Sequence, residues 1–88
     1  MSRTIYKYLI DIKDEPQIKN MPNGCIIIHV GRQDDKIGIW AIVDTNQKEI
    51  SVPFLVLGTG FVIPDNAEFI GTVQMDWFVW HLFKLLEG

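Results

Sequence analysis

The fold of this chain is decided by one stretch, EFIGTVQMDWFVWHLFKLL, which spans residues 68–86. Within it, Glu68–Gln74 places Phe69 and Val73 on one parity, as a half-buried strand requires. Met75-Asp76 is short enough for a tight turn. Trp77–Leu86 is almost wholly apolar and would also fit a buried helix, but its aromatic and β-branched residues favour a strand. The stretch therefore predicts a β-hairpin.

Turn-forming residues divide the rest of the chain into segments of strand length. Gly, Pro, Asn and Asp recur at regular intervals, and about 5 to 10 residues separate one group from the next. A second hairpin is predicted from Cys25–Val30 and Ile37–Val43, which flank a polar connector at residues 31–36. We expect one domain over residues 1–88. Its predicted fold is all-β, a small antiparallel sandwich or partly open barrel of six or seven short strands.

The charge balance limits the partners of the chain. Eight Lys and Arg residues against eleven Asp and Glu residues give a formal net charge of −3, which excludes a strongly basic nucleic-acid binder. No apolar run is long enough for a secretory signal or a membrane span. The single cysteine, Cys25, suggests a reducing compartment. We expect a cytoplasmic protein that binds neither nucleic acid nor membrane.

The C-terminal strands carry more apolar surface than a lone sheet can bury. Residues 51–88 contain five charged residues, whereas residues 1–50 contain fourteen. In the last segment, large apolar residues occupy both parities: Trp77, Val79 and Phe83 on one, and Phe78, Trp80 and Leu82 on the other. A second cover is needed, either the loop at residues 58–66 or another chain. We expect another copy of the chain, and therefore a homo-oligomer.

No pattern in the chain is typical of a catalytic or metal site. His29 and His81 stand alone in apolar segments, without other ligands at a recognised spacing. Cys25 and His29 lie four positions apart on one strand, about 13 Å, which is too far for a nucleophile–base pair. Gly58-Thr59-Gly60 matches no phosphate-binding fingerprint. We expect no catalytic residue, no metal and no cofactor.

A small-ligand site is the remaining possibility for chemistry. Planar rings stack on bases, and cations or hydroxyls contact phosphates. The competing interpretations are core packing for the aromatic residues, ordinary exposed charges for the cations, and a simple glycine turn around Thr59. The candidate ligand-binding residues are Tyr8, Arg32, Lys36, Trp40, Thr59, Trp80 and His81.

Five blocks of sequence occur in the order Tyr6-Lys7-Tyr8, Trp40-Ala41-Ile42-Val43-Asp44, Gly58-Thr59-Gly60, Ile70-Gly71-Thr72-Val73-Gln74 and Val79-Trp80-His81. Together they resemble a family of short, uncharacterised bacteriophage and prophage proteins. The chain departs from that family at Leu9, where the family has Pro, and at Phe61-Val62, where it has His-Pro.

The resemblance implies a phage accessory protein in the cytosol of the host cell. With the surplus apolar surface, it leads us to expect a non-catalytic binding protein that sequesters a nucleotide-derived immune signal in a homo-oligomer. Two alternatives stay open. One is a protein–protein inhibitor of a host defence protein, or a phage structural adaptor; the other is a small hydrolase of nucleotide signals.

Overall fold

A computed structural model describes residues 2–86, and these form seven β-strands without a helix. The all-β prediction is confirmed, and the segment that also fitted a helix is a strand. None of the described residues forms a helix able to span a membrane. The strands are β1 Arg3–Ile10, β2 Gln17–Pro22, β3 Ile26–Gln33, β4 Lys36–Asp44, β5 Glu49–Gly58, β6 Ala67–Met75 and β7 Phe78–Leu85.

The strands form two antiparallel sheets that face each other as a sandwich. Sheet A has the order β1-β4-β3, and sheet B has the order β2-β5-β7-β6. The sheets approach closely where β3 passes β6. There, a Cβ atom added to Gly71 would lie only 3.1 Å from Cβ of Val30. Glycine at this position lets the two edges meet.

The core lies between the sheets because apolar residues alternate along the strands. In β4, Ile37, Ile39, Ala41 and Val43 are buried and point towards sheet B. On the outer face of sheet B, Leu55 and Leu57 of β5 form a small buried cluster with Phe83 of β7. The main core consists of Ile10, Met21, Ile37, Ile39, Ala41, Val43, Val52, Phe54, Val56, Val73, Met75 and Leu82.

Both predicted hairpins exist, but their turns differ from the prediction. The polar connector at residues 31–36 shrinks to Asp34-Asp35, because Gly31 to Gln33 and Lys36 pair within the sheet. The predicted turn at Met75-Asp76 is wrong by one residue. Met75 is buried and pairs with Phe78, so the turn is Asp76-Trp77. Asp34 and Asp76 have φ of 55° and 58°, the left-handed region that Asp tolerates better than most residues.

Two β-bulges interrupt the alternation. The register shifts between Ile27 and His29 in β3, and between Phe69 and Gly71 in β6. Each bulge inserts one residue, Ile28 or Ile70, and so changes the face on which the following residues lie. The first bulge places His29 on the outer face of sheet A, and the second places Thr72 on the outer face of sheet B.

The loop at residues 59–66 accounts for the second apolar face of the C-terminal strands. Leu57 and Phe83 are buried on the outer face of sheet B. Phe61 and Ile63 of the loop line a cavity together with these two side chains. The loop thus explains how Leu57 and Phe83 are buried within one chain. The loop residues Phe61, Val62 and Ile63 remain exposed to solvent.

Candidate functional site

The outer face of sheet A brings together two of the predicted ligand-binding residues, Lys36 and Trp40. Both lie on the parity of β4 that points away from the core. Side chains opposite each other on neighbouring strands share a face. The resulting rows are Arg3 with Asp44, then Ile5, Ile42 and Ile26, then Lys7, Trp40 and His29, then Leu9, Gly38 and Gly31, and finally Lys36 with Gln33.

Two aromatic rings occupy the middle of this face. A Cβ atom added to Gly38 would lie 2.9 Å from Cη2 of Trp40, and one added to Gly31 would lie 3.0 Å from Nε2 of His29. The indole and imidazole centroids are 5.3 Å apart. The two glycines thus leave room for both rings against the sheet, and Trp40 is a half-buried surface residue rather than part of the core. We call Trp40 and His29 the aromatic platform.

Two lysines flank the aromatic platform. Lys7 Nζ donates a hydrogen bond to Gln33 Oε1 at 3.0 Å, reaching across β4. Lys36 pairs with Asp11. The hydrogen bond and charge of Lys36 lower the pKa of Asp11, and those of Asp11 raise the pKa of Lys36. Lys7 has no carboxylate partner among residues 2–86, so its positive charge is available beside Trp40.

Arg32 and Tyr8 lie on the opposite side of sheet A from the aromatic platform. Arg32 Nη1 lies 3.2 Å from Oδ1 of Asp76, and its Nε donates to the backbone oxygen of Asp34 at 2.9 Å. Tyr8 is half-buried against the core, and this burial is the main reason why its pKa is raised; the charges of Cys25 and Glu49 add to the effect. The structure therefore does not bring Arg32 together with Trp40.

Thr59 and His81 meet on the outer face of sheet B. Thr59 Oγ1 lies 3.0 Å from Nε2 of His81, and Thr72 Oγ1 lies 3.0 Å from Nδ1. A neutral imidazole donates through one nitrogen and accepts through the other, so it satisfies one hydroxyl on each side. No carboxylate takes part in these contacts. The arrangement fastens the loop at residues 59–66 to β7.

A cavity of about 220 Å³ adjoins His81, and its walls are mainly apolar. This volume is smaller than the roughly 300 Å³ at which small-molecule sites begin. Thr72, the second partner of His81, was missed by sequence reasoning because the Ile70 bulge decides its face. The lining consists of Leu57, Gly58, Thr59, Gly60, Phe61, Ile63, Phe69, His81 and Phe83.

Trp80 precedes His81 on β7, so its side chain lies on the opposite, inner face of sheet B. It pairs with Val73, packs partly buried against the core, and stacks on Phe78 with 5.8 Å between ring centroids. Core packing therefore accounts for the position of Trp80. Of the seven predicted residues, the structure unites Lys36 with Trp40 on one face and Thr59 with His81 on another.

A larger cavity of about 520 Å³ opens at one end of the sandwich. It is lined by Met21, Cys25, Glu68 and Lys84 among others, and by none of the predicted ligand-binding residues. Residues 2–86 also contain no group of three or more His, Cys, Asp or Glu side chains placed to hold a metal ion.

The chain matches the model of one protein family over nearly its whole length. No curated protein and no solved structure is similar enough to the chain to match it. The model of a domain of unknown function, DUF7352, matches residues 1–87. Since this match spans nearly the whole sequence, the chain belongs to the DUF7352 family.

Proposed function

We propose that the protein is a phage-encoded, non-catalytic binding protein that works as a homo-oligomer and sequesters a nucleotide-derived immune signal of the host cell. The observation that supports it best is the aromatic platform with Lys7 and Lys36 on the outer face of sheet A. The phage origin and the host-defence role rest on the family resemblance of the sequence blocks.

The chemistry of the platform suits a base with attached phosphates. A base stacked on an exposed aromatic ring contributes about 1–3 kcal/mol. Lys36 lies four residues before Trp40 on β4, about 13 Å along the strand, whereas Lys7 is directly opposite Trp40 on β1. Lys7 is therefore the ammonium group closer to a phosphate on a nucleoside stacked at Trp40, while Lys36 lies farther away and is paired with Asp11.

The row of isoleucines beside the platform supports the homo-oligomer. Ile5 is 55% exposed and Ile26 is 57% exposed, with Ile42 half-buried between them. The adjacent row pairs Arg3 with Asp44. In a two-fold contact between two copies, each Arg3 can therefore face the Asp44 of the other copy. Such a contact buries the isoleucines and places the aromatic platform at the edge of an inter-chain cleft.

Calorimetric titration with cyclic ADP-ribose and with cyclic dinucleotides tests the proposal. We expect binding that Trp40→Leu weakens about tenfold or more and Trp77→Phe retains. In the variant with both Trp77→Phe and Trp80→Phe, the remaining Trp40 fluorescence should be quenched by the ligand. Release of intact ligand on heating distinguishes sequestration from hydrolysis. Absence of heat at protein concentrations above about 100 μM, where even weak complexes form, would contradict the proposal.

A further inference from the structure

Trp77 is the most exposed large apolar side chain of the described residues, at 94%. It occupies the second position of the β6–β7 turn, and Phe78 follows it at 62% exposure. The register fixes this position, because Met75 is buried in the core just before the turn. Tryptophan is enriched among the residues that dominate binding energy at protein interfaces.

Contacts on both sides of the turn position the backbone that carries Trp77. Arg32 contacts Asp76 within this turn and also the backbone of Asp34 in the β3–β4 turn. Phe78 stacks on Trp80, which packs against the core. A turn that is already ordered loses little backbone entropy when a partner binds it.

The surroundings of Trp77 are acidic. The two hairpin turns and the β1–β2 connection meet at this end of the sandwich, joined by the contacts of Arg32 and by the Lys36–Asp11 pair. We call this end the acidic tip. Its carboxylates are Asp11, Asp14, Glu15, Asp34, Asp35 and Asp76, and its cations are Lys13, Arg32 and Lys36.

The acidic tip accounts for the whole net charge of the chain. Six carboxylates and three cations give it a charge of −3, which is the formal net charge of the entire sequence. The rest of the chain has five residues of each sign. The three cations of the tip are already paired with Glu15, Asp76 and Asp11. Three carboxylates of the tip, Asp14, Asp34 and Asp35, therefore have no ion-pair partner among residues 2–86.

We propose that Trp77 anchors the acidic tip to a basic protein partner, one that offers an apolar pocket rimmed by Lys or Arg. Charge complementarity selects this class of partner. Nucleic acid and anionic lipid carry the same sign of charge as the tip, and so does a second copy of the tip. Lys36 borders both this surface and the aromatic platform, but Trp77 lies on the β6–β7 turn of sheet B, and the inference does not depend on nucleotide binding.

A labelled peptide that alternates lysine and leucine serves as the probe, and its fluorescence anisotropy reports binding. We expect Trp77→Ala to weaken binding at least about tenfold, as loss of an interface anchor does. Val62→Ala is the matched control, because Val62 is an apolar loop residue that is 89% exposed, and it should leave binding within about twofold. Trp40→Leu should also leave it unchanged, which separates this test from that of the platform.

A second pair of variants tests whether binding of the peptide requires the negative charge of the acidic tip. The double change Asp34→Asn and Asp35→Asn should weaken binding and reduce its dependence on salt, whereas Asp65→Asn, in the loop at residues 59–66, should do neither. A peptide with glutamate in place of lysine should not bind. The inference is overturned if the lysine–leucine peptide fails to bind at about 1 mM, or binds Trp77→Ala as it binds the wild type.

Discussion

Arg32 of sheet A and Asp76 of sheet B form an ion pair, with 3.2 Å between Nη1 and Oδ1. The same guanidinium donates from Nε to the backbone oxygen of Asp34. One side chain thus connects two hairpin turns, each of which begins with an aspartate in the left-handed region. The pair fixes the relative position of the two turns that form the acidic tip.

Changes at Asp76 should separate the ion pair from the backbone conformation. Asp76→Asn removes the charge but keeps a residue suited to positive φ, so we expect a loss of under about 1 kcal/mol in the free energy of unfolding. Asp76→Val loses the pair and also places a β-branched residue in the left-handed region, which costs about 1–2 kcal/mol more. Urea unfolding of both variants measures the difference. A larger loss for Asn than for Val would contradict this account.

The pair between Asp11 and Lys36 should make stability depend on pH. Lys36 lowers the pKa of Asp11 in the folded state below its ordinary value of 3.8. The contribution of Asp11 is therefore present above that value and is lost as the pH falls through the folded pKa. At high pH the contribution of Lys36 is lost as the pH rises through its raised pKa.

Asp11→Asn should accordingly reduce the fall of the urea midpoint as the pH drops below the ordinary value of 3.8. Some loss of stability at low pH should persist, because the backbone amide of Asn46 also lowers the pKa of Asp44. Asp14→Asn is the control, since Asp14 makes no ion pair or side-chain hydrogen bond among residues 2–86. If both variants reduced the pH dependence of the urea midpoint equally, the pair between Asp11 and Lys36 would not be its cause.

Glycine substitutions should reveal where the sheets meet. Gly71→Ala brings a methyl group to 3.1 Å from Cβ and Cγ2 of Val30, atoms that cannot move without the strand, so we expect a loss of about 1–3 kcal/mol. Gly31→Ala meets only the exposed ring of His29, which can turn aside. Thermal or urea unfolding should therefore show that Gly71→Ala is clearly less stable than Gly31→Ala. The reverse order would contradict the close approach of β3 and β6.

Thr59→Val tests whether His81 fastens the loop at residues 59–66. The change keeps the shape of the side chain but removes the hydroxyl that lies 3.0 Å from Nε2 of His81. We expect a loss of about 0.5–1.5 kcal/mol and faster hydrogen exchange across the loop. Ser51→Ala, which removes an exposed hydroxyl bonded to Asn20, should leave exchange in the loop unchanged. Unchanged exchange in Thr59→Val would show that the loop is held by its apolar contacts alone.

The strands were predictable because local chemistry determines them. Turn residues mark their ends, and the parity of Ile37, Ile39 and Val43 already separates an inner face from an outer one. The bulges at Ile28 and Ile70 were not predictable, since neither residue carries a turn signal. Because a bulge changes the face of every later residue in its strand, the positions of His29 and Thr72 were hidden as well.

The candidate site was only partly predictable for the same reason. Lys36 was predicted in the connector at residues 31–36, and it shares a face with Trp40 only because β4 begins at Lys36. Lys7 lies beside Trp40 because the β1–β4 register pairs the two residues. Arg32 lies on the opposite face of sheet A, because it pairs with the inward-facing Ile37. Pairing between distant strands depends on the core as a whole, which no single segment encodes.

The assembly of the chain through the isoleucine row is the claim on which the proposed function depends. Light scattering of the purified protein over about 10–200 μM measures its mass directly. The account predicts at least twice the chain mass of 10.1 kDa, and a return to 10.1 kDa when Ile42→Lys places a charge in the middle of the row. A wild-type mass of 10.1 kDa at every concentration would contradict it.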